Sequence, residues 1–269
     1  MAGIKAVGTP GGNRLRTLRE NADKTQLEVE LEASLGIGYL QRVESGKVGQ
    51  PEHETLDRIL AALGARYTER RDVLELFGYV VDTPLPTDAD IQWAVDACQA
   101  ELHDAVFPAY VLDCAHRLLA WNHFFPKLFM RDDARFVSML NLIFDPTYGV
   151  TPRIGNPDEF FPSQIRALRH QMQVIRGERW SEALINDLLL GCPTFATYWR
   201  AVAADQKYAL PARPLVALEL SVPPLDLLRF RLTSEAFAQD RRFRVIYYLP
   251  ADPHTMQQCA IWVASRTNS

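Results

Sequence analysis

Residues 25–44 read TQLEVELEASLGIGYLQRVE, and this stretch decides how the first part of the chain folds. Thr25 followed by Glu28 is the pairing of a capping box, in which hydroxyl and carboxylate each satisfy one free N–H at a helix start. From that start Val29 and Ala33 fall on one face at helical spacing. A corner follows near residues 34–36, and a second inward pair, Leu40 and Val43, resumes beyond it. Two short helices around a tight, glycine-containing corner make a helix-turn-helix.

The flanking sequence completes an all-α unit. Residues 14–21 place Leu15 and Leu18 inside and Arg16 and Arg19 outside, behind a short flexible lead over residues 1–13. Gly46, Gly49 and Pro51 end the second helix of the motif. Residues 54–63 present Leu56, Ile59, Leu60 and Leu63, with Gly64 as C-cap, and a fifth helix over 69–77 ends at Gly78. The spacing therefore predicts a five-helix domain over residues 1–80, and its expected partner is double-stranded DNA. In that geometry Gln26, at the start of helix 2, positions the phosphate backbone. The exposed residues of helix 3 are Ile37, Gly38, Tyr39, Gln41 and Arg42. Arg42 suits guanine, Gln41 adenine and Ile37 a thymine methyl, while Lys47 in the following loop reaches phosphate.

Whole-chain properties set limits. Across 269 residues, 48% hydrophobic and 23% charged content is ordinary for a globular protein. No run of ~18 apolar residues predicts a membrane span, and the first residues lack the apolar stretch of a secretory signal. Cys98, Cys114, Cys192 and Cys259 lie far apart without a CxxC pair. They read as buried thiols in a reducing cytoplasm, not as a disulfide framework or a metal site. The net charge is −4, with 11 basic against 12 acidic residues over positions 1–80. A DNA-binding face must therefore come from local clustering.

The segment VDTPLPTDA at 81–89 is a proline-containing linker, and a second domain is expected over 90–269. It opens with a helix over 91–106, then a hairpin of strands at 108–113 and 117–121, then an aromatic helix over 122–129. Residues 159–206 read as helical, with Pro162 near a helix start, Ser181 as a cap, and Leu168, Met172 and Ile175 on one face. Four antiparallel strands are expected at 215–221, 225–233, 243–249 and 260–264. The fold class is α+β multidomain, an all-α helix-turn-helix domain followed by an α+β domain whose antiparallel sheet is covered by helices.

Such a sheet leaves room for an apolar cavity between layers. Its candidate lining is Tyr110, Leu112, Leu119, Trp121, Phe124 and Phe125, followed by Leu128, Phe129 and Leu142. Leu168, Met172, Tyr198 and Trp199 extend it, and the same side chains also suit a plain hydrophobic core. Arg200, His170, His123 and Arg229 are candidates to hold a ligand head group. No GxGxxG, GxxxxGK, GxSxG or HExxH pattern occurs, so neither an enzyme nor a required cofactor is expected.

Two resemblances sharpen these readings. LRTLRE at 15–20, TQ at 25–26, YLQRVESGK at 39–47 and TLDRILAAL at 55–63 resemble the bacterial XRE-type (Cro/repressor-like) helix-turn-helix family. That family usually has Ala at the position of Glu30, Gly at Ser34 and a Ser or Thr cap at Gly36. Gly36 and Gly38 also weaken a helix start by up to ~1 kcal/mol each. Further on, PAYVLDCAHRLLAWNHFFPKLF at 108–129 is similar to the opening of the MmyB-like ligand-binding domain, which is PAS-like. NLIFD at 141–145, FATYWRAV at 195–202 and RVIYYLPAD at 244–252 fit the same template. The resemblance implies a ligand-responsive transcription regulator that accepts a fatty-acyl or similar lipidic ligand, with Asn122 capping the next helix. A homodimer is expected, because one such head buries little DNA surface. The alternative is a lipid- or small-molecule-binding protein whose degenerate helix-turn-helix serves assembly. Glu30, Gly36 and Gly38 point that way.

Overall fold

A computed structural model describes residues 8–175, 178–204, 215–224 and 227–266. The chain divides into two compact units, Met1–Val81 and Asp82–Ser269. The first unit contains α1 (Pro10–Asn21), α2 (Gln26–Glu32), α3 (Tyr39–Glu44), α4 (His53–Ala62) and α5 (Tyr67–Leu76). Leu15, Val29, Leu40, Val43, Leu56 and Ile59 are fully buried at its centre or nearly so. The capping box of Thr25 and Glu28 is formed.

Helix α1 starts earlier than residue 14. Thr9 Oγ1 accepts the Gly12 N–H at 3.2 Å and Pro10 occupies the first turn, where its missing N–H costs nothing. Residues 10–13 are thus helix and not flexible lead, while residues 1–7 lie outside the described ones. Gly12 has a packing reason. A Cβ there would stand 2.5 Å from the Val43 carbonyl oxygen, so only glycine lets α1 close onto the end of α3.

The corner between α2 and α3 differs from expectation in extent. It reaches Gly38, whose φ of 80° is left-handed, so Ile37 and Gly38 precede α3 instead of lying on it. The cause is Glu30. Its buried carboxylate accepts the N–H of Gly38 at 2.9 Å and of Leu40 at 2.8 Å. A side chain from α2 therefore caps α3, which explains how Gly36 can stand where a Ser or Thr cap is usual.

Ser34 holds a φ of 53°, a region that costs a residue with a Cβ roughly 1 kcal/mol or more. Ser34→Gly should therefore raise the stability of the first unit by about 1 kcal/mol, read as a higher denaturation midpoint at unchanged m-value.

The second unit begins with α6 (Asp88–Ala97) and α7 (Gln99–Asp104), then β1 (Ala109–Asp113) and β2 (Leu118–Trp121). α8 (Phe125–Phe129), α9 (Met139–Phe144) and two single 3-10 turns lead to α10 (Pro157–Val174), α11 (Arg179–Gly191) and α12 (Pro193–Ala204). β3 (Val216–Ser221), β4 (Leu227–Ala236), β5 (Phe243–Pro250) and α13 (Pro253–Arg266) complete it. The sheet runs β2-β1-β5-β4-β3 with every neighbour antiparallel.

Several sequence expectations are corrected. The helix expected over 91–106 starts at Asp88 behind a Thr87–Asp90 capping box and breaks at Cys98. The fourth late strand, 260–264, is part of α13. Asp252 Oδ1 accepts the Thr255 N–H at 2.7 Å, Pro253 sits in the first turn, and Thr255, Cys259 and Trp262 are buried at helical spacing. Those start signals outrank a short apolar run. Pro162 lies inside α10, which starts at Pro157. Ser181 is in the first turn of α11, its hydroxyl donating to the Glu178 carbonyl, and is not the cap. Asn122 ties strands together more than it caps. Its amide donates to the Phe107 carbonyl at 2.8 Å and accepts from Ala109 and Phe124, while α8 starts only at Phe125. Residues 205–206 and 225–226, at the ends of a predicted helix and strand, lie outside the described residues.

Side chains alternate across the strands and give the sheet two covered faces. Tyr110, Leu112, Phe230, Leu232 and Tyr248 share one core with α8, α9, α10 and α12. Ala109, Val111, Phe243 and Val245 pack on the other side against Ile91, Ala94, Cys98 and Leu102 of α6 and α7. All four cysteines are buried and free, and no described helix is long and apolar enough to cross a membrane.

Candidate functional site: an exposed short helix and a cavity between sheet and helices

The first unit presents α3 as a short ridge. Leu40, Val43 and Glu44 face inward, which leaves Gln41 and Arg42 exposed on the outer side. Tyr39 is half-buried, and the Arg42 guanidinium lies 5.5 Å from its ring centroid. Such a contact limits where the arginine can point. Ile37, 84% exposed, stands at the tip of the corner ahead of the helix, and Lys47 is exposed in the loop after it. Gly38 contributes backbone only. Gln26 is engaged inward: its amide donates to Glu44 Oε2 at 2.8 Å.

Glu44 explains why the ridge is not acidic. Its side chain is fully buried, with Arg19 Nε at 2.7 Å and Arg16 Nε at 3.3 Å. One carboxylate is thus answered by two arginines from α1. Arg42 and Lys47 are left as exposed cations on this side of the unit.

In the second unit a cavity of about 140 Å³ lies between the first sheet face and helices α9 and α10. Of the predicted ligand residues, Tyr110, Leu112 and Leu168 line it. Phe124, Phe125, Leu128, Phe129 and Leu142 are buried in the adjoining core. Trp121 stacks on Phe125 at 5.1 Å. Met172 and Trp199 border a separate surface cleft between α10, α11 and α12, and Tyr198 donates to Asp158 at 3.0 Å. Leu119 faces the opposite side of the sheet. The register between β1 and β2 shifts between Val111 and Leu112, and this bulge turns Leu118, not Leu119, toward the cavity-side core.

The head-group candidates are elsewhere. Arg200 and His170 are exposed, and Arg229 pairs with Glu219 and Asp252. His123 is half-buried against Phe124. The cation that does line the cavity is Arg244 on β5, which sequence reasoning passed over. It makes no salt bridge or side-chain hydrogen bond among the described residues, and burial lowers its pKa. The missed signal was strand parity. Arg244, Ile246 and Tyr248 alternate onto the face that also carries Tyr110 and Leu112.

His116 also lines the cavity, with Nε2 at 2.9 Å from Gln171 Oε1. Because the Gln171 amide nitrogen donates to the Cys114 carbonyl at 2.8 Å, its oxygen is left to accept, so His116 carries its proton on Nε2. Burial, then the nearby Arg244 charge, push the His116 pKa down to about 3. The Tyr110 and Tyr248 hydroxyls meet at 3.2 Å, and burial raises both phenols. No cluster of metal-binding side chains exists among the described residues.

Comparison with known proteins agrees with this layout. Residues 96–260 match the MmyB-like transcription regulator ligand binding domain, and residues 12–73 match a helix-turn-helix domain. The chain belongs to the MmyB-like transcription regulators. It joins a DNA-binding helix-turn-helix to a ligand-binding domain, and both families are regulatory, not enzymatic. No curated protein matches it. Among solved structures, one titled "Structure of an RNA-binding Light-Oxygen-Voltage Receptor" aligns at 12% identity over 94% of this chain. The chain spans 63% of that protein, and the TM-score of 0.27 is too low to support an argument.

Proposed function

We propose that this protein is a sequence-specific, DNA-binding transcription regulator whose PAS-like domain senses a small, largely apolar ligand. It works as a cytoplasmic homodimer without a required cofactor. The observation that carries this reading is the cavity itself, built into a chain that also exposes Gln41 and Arg42 on a well-capped recognition helix. The sheet order β2-β1-β5-β4-β3 supports the PAS-like description. A fatty acid short enough for the cavity fits the apolar part of the lining. Two copies are needed because one short head covers too little duplex for tight specific binding. Ligand then acts by binding one arrangement of the dimer better than the other.

The departures at Glu30 and Gly36 favour retained DNA binding over a purely assembling role, since the Glu30 carboxylate supplies the cap that Gly36 lacks. Salt titration of binding to random duplex tests this. A steep fall in affinity with salt is expected, and no binding at low salt overturns the reading. On a selected site, Arg42→Ala should cost ~1–3 kcal/mol and relax base choice at one position. An unchanged site preference would mean that α3 is not in the groove.

A further inference from the structure

We propose that the cavity beneath α10 takes a compact organic carboxylate, a ring or short chain of about the bulk of benzoate, and that Arg244 holds its carboxylate. The proposal rests on the ligand-sensing reading and narrows it to one ligand class and one anchoring residue.

Size is the first argument. At about 140 Å³ the cavity is close to the apolar void of roughly 150 Å³ that accommodates a benzene molecule in another protein. An acyl chain of a dozen or more carbons has at least roughly twice the bulk of that ring. A long-chain acid would have to push apart Leu168 and Ile143 on the helices from Tyr110 and Tyr248 on the sheet. Close-packed interiors resist such expansion.

Charge is the second. Arg244 is a half-buried cation in the cavity lining, its pKa lowered by burial, and it has no salt bridge among the described residues. Asp113, a carboxylate whose charge acts on Arg244, is already taken by the Arg117 side chain and by the N–H groups of Ala115 and Arg117. No Asp or Glu lines the cavity. Arg244 is only partly buried, and a carboxylate entering beside it would take a charge-assisted, two-pronged hydrogen bond from the forked N–H groups.

The surroundings fit a single anionic head on an apolar body. Strand pairing sets Ser234 opposite Ile246, two residues along from Arg244 on the same face. That diagonal distance is within reach of a long side chain. Gln164 on α10 also faces the cavity. His116 Nε2 is taken by Gln171, whereas the Tyr110–Tyr248 hydroxyl pair uses only one of its two protons and keeps one donor for a bound carboxylate. Thr233 adds one hydroxyl and the rest of the lining is apolar, which suits a ring and disfavours a second charge.

All five tryptophans lie between residues 93 and 262, so their fluorescence in the full-length protein reports on this unit alone. Sodium benzoate, sodium hexanoate, sodium myristate and neutral benzyl alcohol are the probes. Benzoate or hexanoate should bind at least tenfold more tightly than benzyl alcohol and more tightly than myristate. Arg244→Met should remove the advantage of benzoate over benzyl alcohol. Arg244→Lys keeps the charge without the forked geometry and should lose an intermediate part of it. This second variant decides the question if the first does not fold.

Myristate binding more tightly than the short acids, or unchanged benzoate affinity in both variants, overturns the proposal. Measuring DNA binding with each probe present separates it from the broader reading. Benzoate that binds through Arg244 without altering DNA affinity leaves the site standing and removes the regulatory role. A response to myristate or benzyl alcohol alone does the reverse.

Discussion

Glu44→Ala should destabilise the first unit by about 3 kcal/mol. Three side chains converge on this one carboxylate: Arg19 at 2.7 Å, Gln26 at 2.8 Å and Arg16 at 3.3 Å. Removing one partner of a buried ion pair costs roughly 3–5 kcal/mol, because the other charge stays desolvated. The lower end applies here. Arg16 is nearly half exposed and can turn to water, whereas the Arg19 side chain is only 13% exposed and cannot. About 3 kcal/mol is a large part of the roughly 4–12 kcal/mol that a unit of this size possesses. The network also connects α1, α2 and α3, so its loss frees the recognition helix as well as weakening the core. Circular dichroism of the full chain should show the helical unit melting earlier and DNA binding falling with it. Tryptophan fluorescence, confined to the second unit, should stay put. Glu44→Gln, which keeps the shape and an oxygen acceptor, should lose less. An unshifted helical transition in both variants would mean that apolar packing alone holds α1 to α3.

This network also marks how far the sequence could be read in the first unit. Helix existence followed from local signals, namely the Thr25–Glu28 box and the apolar spacing of Leu15, Leu18, Leu56 and Ile59. Two residues have local roles that the sequence did not show, because their partners are distant in sequence. Gln26 has the position of a phosphate contact, but Glu44, 18 residues on, takes its amide. Glu30 breaks the family pattern for close helix approach, and its use becomes visible only once the turn brings the N–H groups of Gly38 and Leu40 onto its carboxylate. Neither fact is written in periodicity.

In the second unit the strands were legible from alternation, and the cavity was legible only as a neighbourhood. Tyr110 and Leu112, two apart on β1, both line the cavity because alternation within β1 is uninterrupted. At β2 a single bulge reverses parity, which exchanges Leu118 for Leu119. Of the expected anchors, Arg200 and His170 are exposed, His123 packs on Phe124, and Arg229 on β4 is paired with Glu219 and Asp252. Arg244 was hidden in a run of strand residues, RVIYY, whose alternation places it inward. A charged residue at an inward strand position is unusual enough to count as a signal. It was visible once the facing strand was known.

Acid should destabilise the second unit well before its carboxylates are protonated, and His116 is the reason. Its pKa is about 3 in the folded chain, against about 6.5 in an unfolded one. Between those values the unfolded state holds a proton that the folded state lacks, so stability falls as pH drops from about 6.5 towards 3. The limiting slope is about 1.4 kcal/mol per pH unit for one proton, and partial exposure of the ring keeps the observed slope below it. The groups facing the imidazole have opposing effects. Burial and Arg244 keep the ring neutral, while Gln171 Oε1 favours the charged form through its hydrogen bond. Asp113 is compensated by Arg117. His116→Asn should flatten the dependence of the fluorescence-detected midpoint on pH over this window. A wild-type midpoint that stays constant from pH 6.5 to 5 would show that His116 is already well solvated. An anion bound beside Arg244 adds a second test of the same chemistry. It cancels the charge that helps depress the histidine, so benzoate binding should be accompanied by proton uptake at mildly acidic pH. Calorimetry in two buffers of different ionisation enthalpy would detect this uptake as a difference in apparent binding heat.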